Sequence, residues 1–199
     1  MKKLILASGS ARRREILSHI GLEFTVLNSD VDETNGLPDT PEGTVEMLSE
    51  RKARAVSESE VGKGTIVIGS DTIVYHNGKI LTKPKDAEDA KRMLFELSDS
   101  VHHVYSGLCV TDGDKTVCTH AVTAVKMRKI SDSEIEAYTA TGEPLDKAGG
   151  YGIQDIGGIF VEKIDGDYYN VVGLPLEKLC AVLDRDFGFN VLAQINSKR

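Results

Sequence analysis

The sequence predicts an α/β protein with a mixed, curved sheet, flanking helices and two lobes around a cleft. Short apolar runs such as Ile66-Val67-Ile68 alternate with amphipathic helical segments, and a long hairpin pattern occupies the middle of the chain. No repeat or Pro/Gly/Ser-rich linker divides the sequence. A chain of roughly 150–200 residues can bury a sizeable core, so we expect a single domain over residues 1–199.

Helices and strands are expected in alternation because the apolar period changes along the chain between that of a helix and that of a strand. The expected elements in chain order are a strand at Lys3–Ala7, a helix at Arg12–Ile20, a strand at Phe24–Asn28, a helix from Pro41 to about Ser57, a strand from Thr65 to Tyr75, a helix from Asp86 to about Leu97, strands at Val101–Thr111 and Thr116–Met127, a helix from Ser131 to Thr141, and a last helix from Pro175 to about Asp184. The Gly-rich stretch 146–158 is expected to be irregular. After it, Ile159–Ile164 and Tyr168–Val172 are expected to flank a turn.

Turn and cap residues justify these boundaries. Gly21 suits the residue that ends a helix, where a left-handed conformation is common. Asn77-Gly78 is typical of a hairpin turn, and Asp86 is a good helix cap. Ser131 and Glu134 have the spacing of a capping box.

Composition and charge exclude several classes of protein. There are 24 Lys+Arg against 31 Asp+Glu, a formal charge of −7, which argues against nucleic acid as the main partner. No apolar run approaches the roughly 20 residues of a membrane span, and the apolar start is too short for a signal peptide. Cys109, Cys118 and Cys180 are odd in number and widely spaced, so we expect free core thiols in a cytoplasmic protein.

The loop before the first helix is the strongest candidate for an anion site. Ser8 and Ser10 supply hydroxyls, the helix start supplies unpaired N–H groups, and Arg12 and Arg13 supply guanidinium forks that match phosphate oxygens. Three consecutive arginines in a first turn are unfavourable unless an anion compensates them. The alternative is a solvated basic turn in which Ser8 is only a cap.

Acidic residues follow two of the buried apolar runs. Asp71 comes directly after the run Thr65–Ser70, where a charge is costly without a partner, so it is a candidate metal ligand or general base, although it could equally cap a bend. Glu33 follows the second strand, after Asp30 and Asp32, which are typical of turns. Carboxylates of this kind suit Mg²⁺ or Mn²⁺.

Basic residues elsewhere carry weaker signals. Lys52 and Lys83 could contact phosphates, but exposed lysines are common. His102 and His103 are neighbours in a strand pattern and therefore point to opposite faces, so they cannot bind one metal together.

Seven short motifs, taken together, resemble the Maf nucleotide pyrophosphatases in order and spacing from Lys3 to the last helix. They are Ser8-x-Ser10-x-Arg12-Arg13, Asp30-Val31-Asp32-Glu33, Lys52-Ala53, Gly69-Ser70-Asp71-Thr72, Lys83-Pro84, Asp146-Lys147-Ala148-Gly149 and Tyr151-Gly152-Ile153-Gln154. The resemblance implies a cytoplasmic house-cleaning enzyme that hydrolyses nucleoside triphosphates to monophosphate and pyrophosphate with a divalent cation. It also implies a fold similar to that of the inosine triphosphate pyrophosphatases, and a homodimer.

The same resemblance implies roles for individual residues. Arg12, Thr72 and Gln154 look like the branch that acts on dTTP and UTP, with Thr72 and Gln154 reading the pyrimidine. The triphosphate would be held by Ser8, Ser10, Arg12, Arg13, Lys52 and Lys83, and the metal by Glu33 and Asp71, with Asp71 orienting or deprotonating a water. The sequence departs from the family at three places, namely Ala11 for a proline, and Thr82 and Asp155 for glycines.

Two other functions remain open from the sequence. The run Asp30-Val31-Asp32-Glu33-Thr34 imitates the DxDxT signature of phosphatases that form an aspartyl-phosphate, but no suitable pair of acids follows a later strand. The other is an interaction protein of cell division that binds a partner or nucleic acid through Arg12–Arg14.

Overall fold

The computed structural model describes residues 2–59 and 61–196, which form seven strands and seven α-helices. The strands are β1 (Leu4–Leu6), β2 (Thr25–Val26), β3 (Ile66–His76), β4 (Lys79–Leu81), β5 (Val101–Thr111), β6 (Thr116–Met127) and β7 (Val161–Asp165). The helices are α1 (Ala11–His19), α2 (Pro41–Ser57), α3 (Ala87–Leu97), α4 (Asp132–Thr139), α5 (Tyr168–Val172), α6 (Leu176–Phe187) and α7 (Val191–Asn196). Among these described helices, none has the length and apolar character needed to cross a membrane.

The predicted cap and turn residues have the expected roles. Asp86 accepts a hydrogen bond from the backbone N–H of Asp89 at 2.8 Å, and Ser131 and Glu134 form a complete capping box. Asn77 and Gly78 both have positive φ in the turn between β3 and β4. Most element boundaries are therefore confirmed to within two residues.

The strands form one mixed sheet in the order β2-β1-β3-β5-β6-β7, with β4 paired to β3. β1 pairs in parallel with β2 and with β3, with Leu4 opposite Ile66. The pairs β3–β4 and β6–β7 are antiparallel. The predicted mixed sheet with helices is confirmed.

The chain divides into two compact units, which correspond to the two expected lobes. The first contains residues 2–71, 106–121 and 173–196, and the second contains 72–105 and 122–172. The cleft and the single domain over 1–199 stay predictions.

In the first unit, α2 packs against the sheet at two glycines. A Cβ atom added to Gly69 of β3 would lie 2.2 Å from the carbonyl oxygen of Ser49, and one added to Gly107 of β5 would lie 2.1 Å from that of Val45. No side chain fits at such distances. The helix backbone therefore contacts the strands directly, and this close approach fixes where α2 places the side chain of Lys52.

Cys109 and Cys118 form a disulfide between β5 and β6, so the expectation of free core thiols is wrong for this pair. The hairpin register explains it. Thr111 and Thr116 face each other beside the turn with their Oγ1 atoms 2.9 Å apart, and each cysteine stands two residues further along its strand. Cys180 is free and half-buried, and burial raises the pKa of its thiol.

The segment Tyr168–Val172, expected only to flank a turn, is the short helix α5. The Asp167 carboxylate accepts a hydrogen bond from the N–H of Tyr169 at 2.8 Å. Asn170 is buried, and its amide donates to the carbonyl of Val104 at 3.0 Å. The bond of Asn170 to a strand 66 positions away favours a helix that the local pattern does not indicate.

The second unit has its own apolar core, in which α3 and α4 pack with β3, β5 and β6; its most buried members include Leu94, Leu97, Val125, Met127, Ile135 and Phe160. His102 is fully buried, with Nε2 2.7 Å from the Tyr151 hydroxyl oxygen. Its Nδ1 has no hydrogen-bond partner among residues 2–59 and 61–196. His103 is exposed, so the two histidines point to opposite faces, as predicted.

We expect His102 to make the protein less stable in acid. Burial, together with the neighbouring His76 and His103, lowers its pKa to about 3. In the unfolded chain the His102 imidazole takes up a proton near pH 6.5, whereas in the folded chain it stays neutral. The free energy of unfolding therefore falls as the pH drops from about 6.5 towards 3. In urea titrations, the free energy of unfolding of the wild type should fall by about 1 kcal/mol more than that of His102→Gln for each pH unit below 6. Parallel pH dependences for the two proteins would contradict this.

Candidate active site

The Ser8 hydroxyl fixes the loop between β1 and α1. Ser8 is buried, and its Oγ accepts hydrogen bonds from the N–H of Ser10 at 3.3 Å and from Nη1 of Arg13 at 3.0 Å. α1 then begins at Ala11 with three arginines and no acid in its first turn. Ser8 therefore organises the loop, and the loop end favours an anion because of the helix dipole and the arginines.

Arg13 is a buried residue that connects distant parts of the first unit. Its Nε donates to the carbonyl of Gly173 at 2.8 Å, and the Ser70 hydroxyl lies 3.2 Å from the same carbonyl oxygen. Burial lowers the pKa of Arg13, and the nearby Asp71 carboxylate opposes that shift. A guanidinium stays charged in proteins, so Arg13 holds a positive charge close to Asp71.

Lys52 joins the two carboxylates that the sequence predicts as metal ligands. It projects from α2, and its Nζ lies 2.5 Å from Oδ1 of Asp71 and 2.8 Å from Oε1 of Glu33. The side chains of Lys52 and Asp71 are only 9% and 14% exposed, whereas Glu33 is 54% exposed. Each buried charge is paired, which removes most of the cost of burying it. The sequence predicts a phosphate contact for Lys52, and the structure places its ammonium group on these carboxylates.

Sequence reasoning missed Arg51, which holds the loop that carries Glu33. Its guanidinium donates to the carbonyls of Asp32 and Asn35, both at 2.8 Å. The Asp32 carboxylate in turn accepts hydrogen bonds from the Asn35 amide and from Thr34, and these bonds lower its pKa. Asp32 is therefore a turn residue, as expected, and its oxygens are not available as in a DxDxT phosphatase.

Glu33 and Asp71 fit a divalent cation that is shared with a substrate. In the described part of the chain, no group of three or more His, Cys, Asp or Glu side chains is arranged to hold a metal by itself. Mg²⁺ is commonly bound by one or two carboxylates, while water and substrate phosphates fill its other positions. Two carboxylates that converge on one ammonium group are consistent with that kind of site.

The remaining predicted residues belong to the second unit. Thr72 lies on β3, and Lys83 is exposed just after β4, where its ammonium makes no hydrogen bond or ion pair with a described residue. The carbonyl of Thr82 accepts a hydrogen bond from the N–H of Gly149 at 3.1 Å, which fixes this segment. Gln154 is exposed, and its amide makes no hydrogen bond within the described ranges.

The arginines at the start of α1 do not form one continuous exposed patch. Arg14 is exposed and Arg12 is half-buried, but Arg13 between them is 8% exposed. The burial of Arg13 argues against an interaction protein that binds its partner through a surface made of all three arginines.

Nearly the whole chain is similar in sequence to a described family and to curated proteins. Residues 3–186 match the protein-family model described as Maf-like protein. A dTTP/UTP pyrophosphatase of Alkaliphilus metalliredigens is 51% identical over 194 residues, which cover 96% of this chain and 100% of that protein. A dTTP/UTP pyrophosphatase of Bacillus cytotoxicus is 49% identical, with 90% and 93% covered.

Solved structures give more distant matches. A dITP/XTP pyrophosphatase of Mycobacterium abscessus has a TM-score of 0.40 and 18% identity, with 64% of this chain and 74% of that chain covered. The Ham1 protein of Staphylococcus aureus has a TM-score of 0.43 and 16% identity, with 63% and 72% covered. The family match spans most of the chain and the curated relatives match over nearly all of it, so the chain belongs to the Maf-like protein family.

Proposed function

We propose that this protein hydrolyses dTTP and UTP to the monophosphate and pyrophosphate. Relatives with this activity in their names are 46–51% identical over nearly the whole chain. The observation that carries the proposal is the Asp71 carboxylate, little exposed and held by Lys52 beside Glu33. Such a carboxylate can orient a water and accept its proton.

The phosphate groups are bound by the first loop and by one further cation. We assign this role to Ser8, Ser10, Arg12 and Arg13, whose donors gather at the start of α1. Lys83 supplies a further exposed ammonium. Phosphoryl transfer depends mostly on positioning and on neutralising charge, so this concentration of donors suits the reaction.

Asp71 accepts a proton from water as the water oxygen attacks the α-phosphorus. The bond from the α-phosphorus to the bridging oxygen breaks, and pyrophosphate leaves with that oxygen. Lys52 keeps Asp71 and Glu33 in place. These two carboxylates would hold Mg²⁺ or Mn²⁺, which supplies additional positive charge for the phosphate oxygens.

Thr72 and Gln154 read the pyrimidine base through hydroxyl and amide hydrogen bonds. The free Gln154 amide can donate and accept at the same time, as the edge of uracil or thymine requires. A base that leaves these groups unpaired is bound more weakly.

We also place the protein in the cytoplasm, as a homodimer without a nucleic-acid partner.

Hydrolysis of dTTP in ¹⁸O-labelled water tests the position of attack. Attack at the α-phosphorus puts the label in the monophosphate and leaves pyrophosphate unlabelled, as mass spectrometry of the products can show. Label in pyrophosphate, or orthophosphate as the first product, would contradict the proposal. Orthophosphate would favour the aspartyl-phosphate mechanism.

A further inference from the structure

The loop 151–157, which carries Gln154, is anchored at its end by Glu143. One carboxylate oxygen of Glu143 accepts hydrogen bonds from the Tyr138 hydroxyl at 2.8 Å and from the N–H of Gly157 at 3.1 Å. The other accepts one from the N–H of Ile156 at 3.1 Å. Burial raises the pKa of Tyr138, so its hydroxyl stays protonated and donates. One half-buried carboxylate therefore fixes two consecutive backbone amides.

Lys147 anchors the other side of the same loop. Its side chain is 8% exposed, and its Nζ donates to the carbonyl of Glu143 at 2.9 Å and lies 2.8 Å from Oδ1 of Asp146. It also lies 3.5 Å from Oδ2 of Asp155, the residue directly after Gln154. Asp155 stands where the family usually has glycine, so this chain has an ion pair at a place where a glycine could form none.

Two glycines let the loop pack closely on these anchors. A Cβ added to Gly152 would lie 2.6 Å from Cε of Lys147, and one added to Gly157 would lie 2.6 Å from the Tyr138 hydroxyl oxygen. The backbone on both sides of Gln154 thus contacts the buried side chains directly. The Gln154 side chain itself is exposed, and its amide makes no hydrogen bond with the described residues.

We propose that Glu143 and Lys147 are positioning residues for base recognition, which fix the loop 151–157 so that the Gln154 amide meets the base in one orientation. The inference rests on the proposed function and adds how its base selectivity arises. A hydrogen-bonding group that is already ordered loses less entropy on binding and discriminates better against a wrong base. These residues should therefore affect substrate affinity and selectivity more than the cleavage step.

The test compares Glu143→Gln with wild type in the presence of Mg²⁺. Gln has one carbonyl oxygen and cannot accept the backbone hydrogen bonds of both Ile156 and Gly157, so the KM for dTTP should rise about tenfold, and the preference for dTTP over CTP in kcat/KM should fall by a similar factor. The fall in kcat should be smaller than the rise in KM. The inhibition constant of pyrophosphate, which has no base, should change less than twofold.

Two further variants keep the test decisive. Asp155→Asn weakens the ion pair at a side chain that is 45% exposed, so it should fold and shift KM in the same direction by about threefold. Glu162→Gln, at an exposed position of β7, is the matched control and should behave as wild type. A loss of kcat with unchanged KM and base preference would overturn the inference, as would equal behaviour of Glu143→Gln and Glu162→Gln. If wild type released no pyrophosphate, the proposed function would fail, and calorimetric binding of dTMP would still test the loop.

Discussion

Replacing Asp71 by Asn is expected to lower the turnover number for dTTP by about 10²- to 10⁴-fold, the usual contribution of a general base. The amide keeps the size of the side chain but cannot take a proton from water. Lys52 retains Glu33 as an ionic partner at 2.8 Å, so its buried charge stays paired and the fold should survive. Steady-state pyrophosphate release, with a thermal unfolding curve for each protein, measures both effects.

Asp30→Asn is the control that separates the two hydrolytic mechanisms. Asp30 is exposed in the loop after β2, and it would be the nucleophile of a DxDxT phosphatase. This variant is expected to keep nearly full turnover. Loss of activity in Asp30→Asn together with normal turnover in Asp71→Asn would refute the assignment of the base.

Replacing Gly69 by Ala is expected to lower the free energy of unfolding by about 3 kcal/mol, near the upper end for overpacking. The new Cβ would lie 2.2 Å from the Ser49 carbonyl oxygen and 2.8 Å from the Ala53 nitrogen. Both are backbone atoms of α2, so the helix itself must move away from β3. Because α2 carries Lys52, the contact with Asp71 should be lost and activity should fall as well.

Gly78→Ala distinguishes this steric effect from backbone strain. Gly78 has a φ of +78° but open space where a Cβ would be, so alanine there should cost only about 1 kcal/mol and leave activity intact. Urea denaturation and pyrophosphate release are measured for both variants. Equal losses of stability at the two glycines would mean that α2 does not rest on β3 as described.

Local signals in the sequence were sufficient for most of the fold. The start of α4 follows from Ser131 and Glu134 alone, because a capping box involves neighbours in the chain. Asp71 could be recognised because a charge directly after the buried run Thr65–Ser70 is costly without a partner, although the structure places it within β3 and not at a strand end. Its partner Lys52 has no such local sign, because the two residues are 19 positions apart and meet only when α2 packs on the glycines of β3 and β5.

The supporting contacts could not be predicted for the same reason. Arg51 reaches back 16 and 19 positions to the loop that carries Glu33, and Arg13 reaches 160 positions forward to Gly173. The Cys109–Cys118 pair is different, since the predicted hairpin already placed the two residues opposite each other. Recognising that pair needed only the register of β5 and β6.

The most direct test of the central claim is product analysis with a panel of nucleotides. The purified protein is incubated with Mg²⁺ or Mn²⁺ and dTTP, UTP, CTP, GTP or 7-methyl-GTP, and pyrophosphate and orthophosphate are measured separately. Pyrophosphate released mainly from dTTP and UTP is the predicted result. No pyrophosphate from any nucleotide, or equal release from all five, would contradict the account.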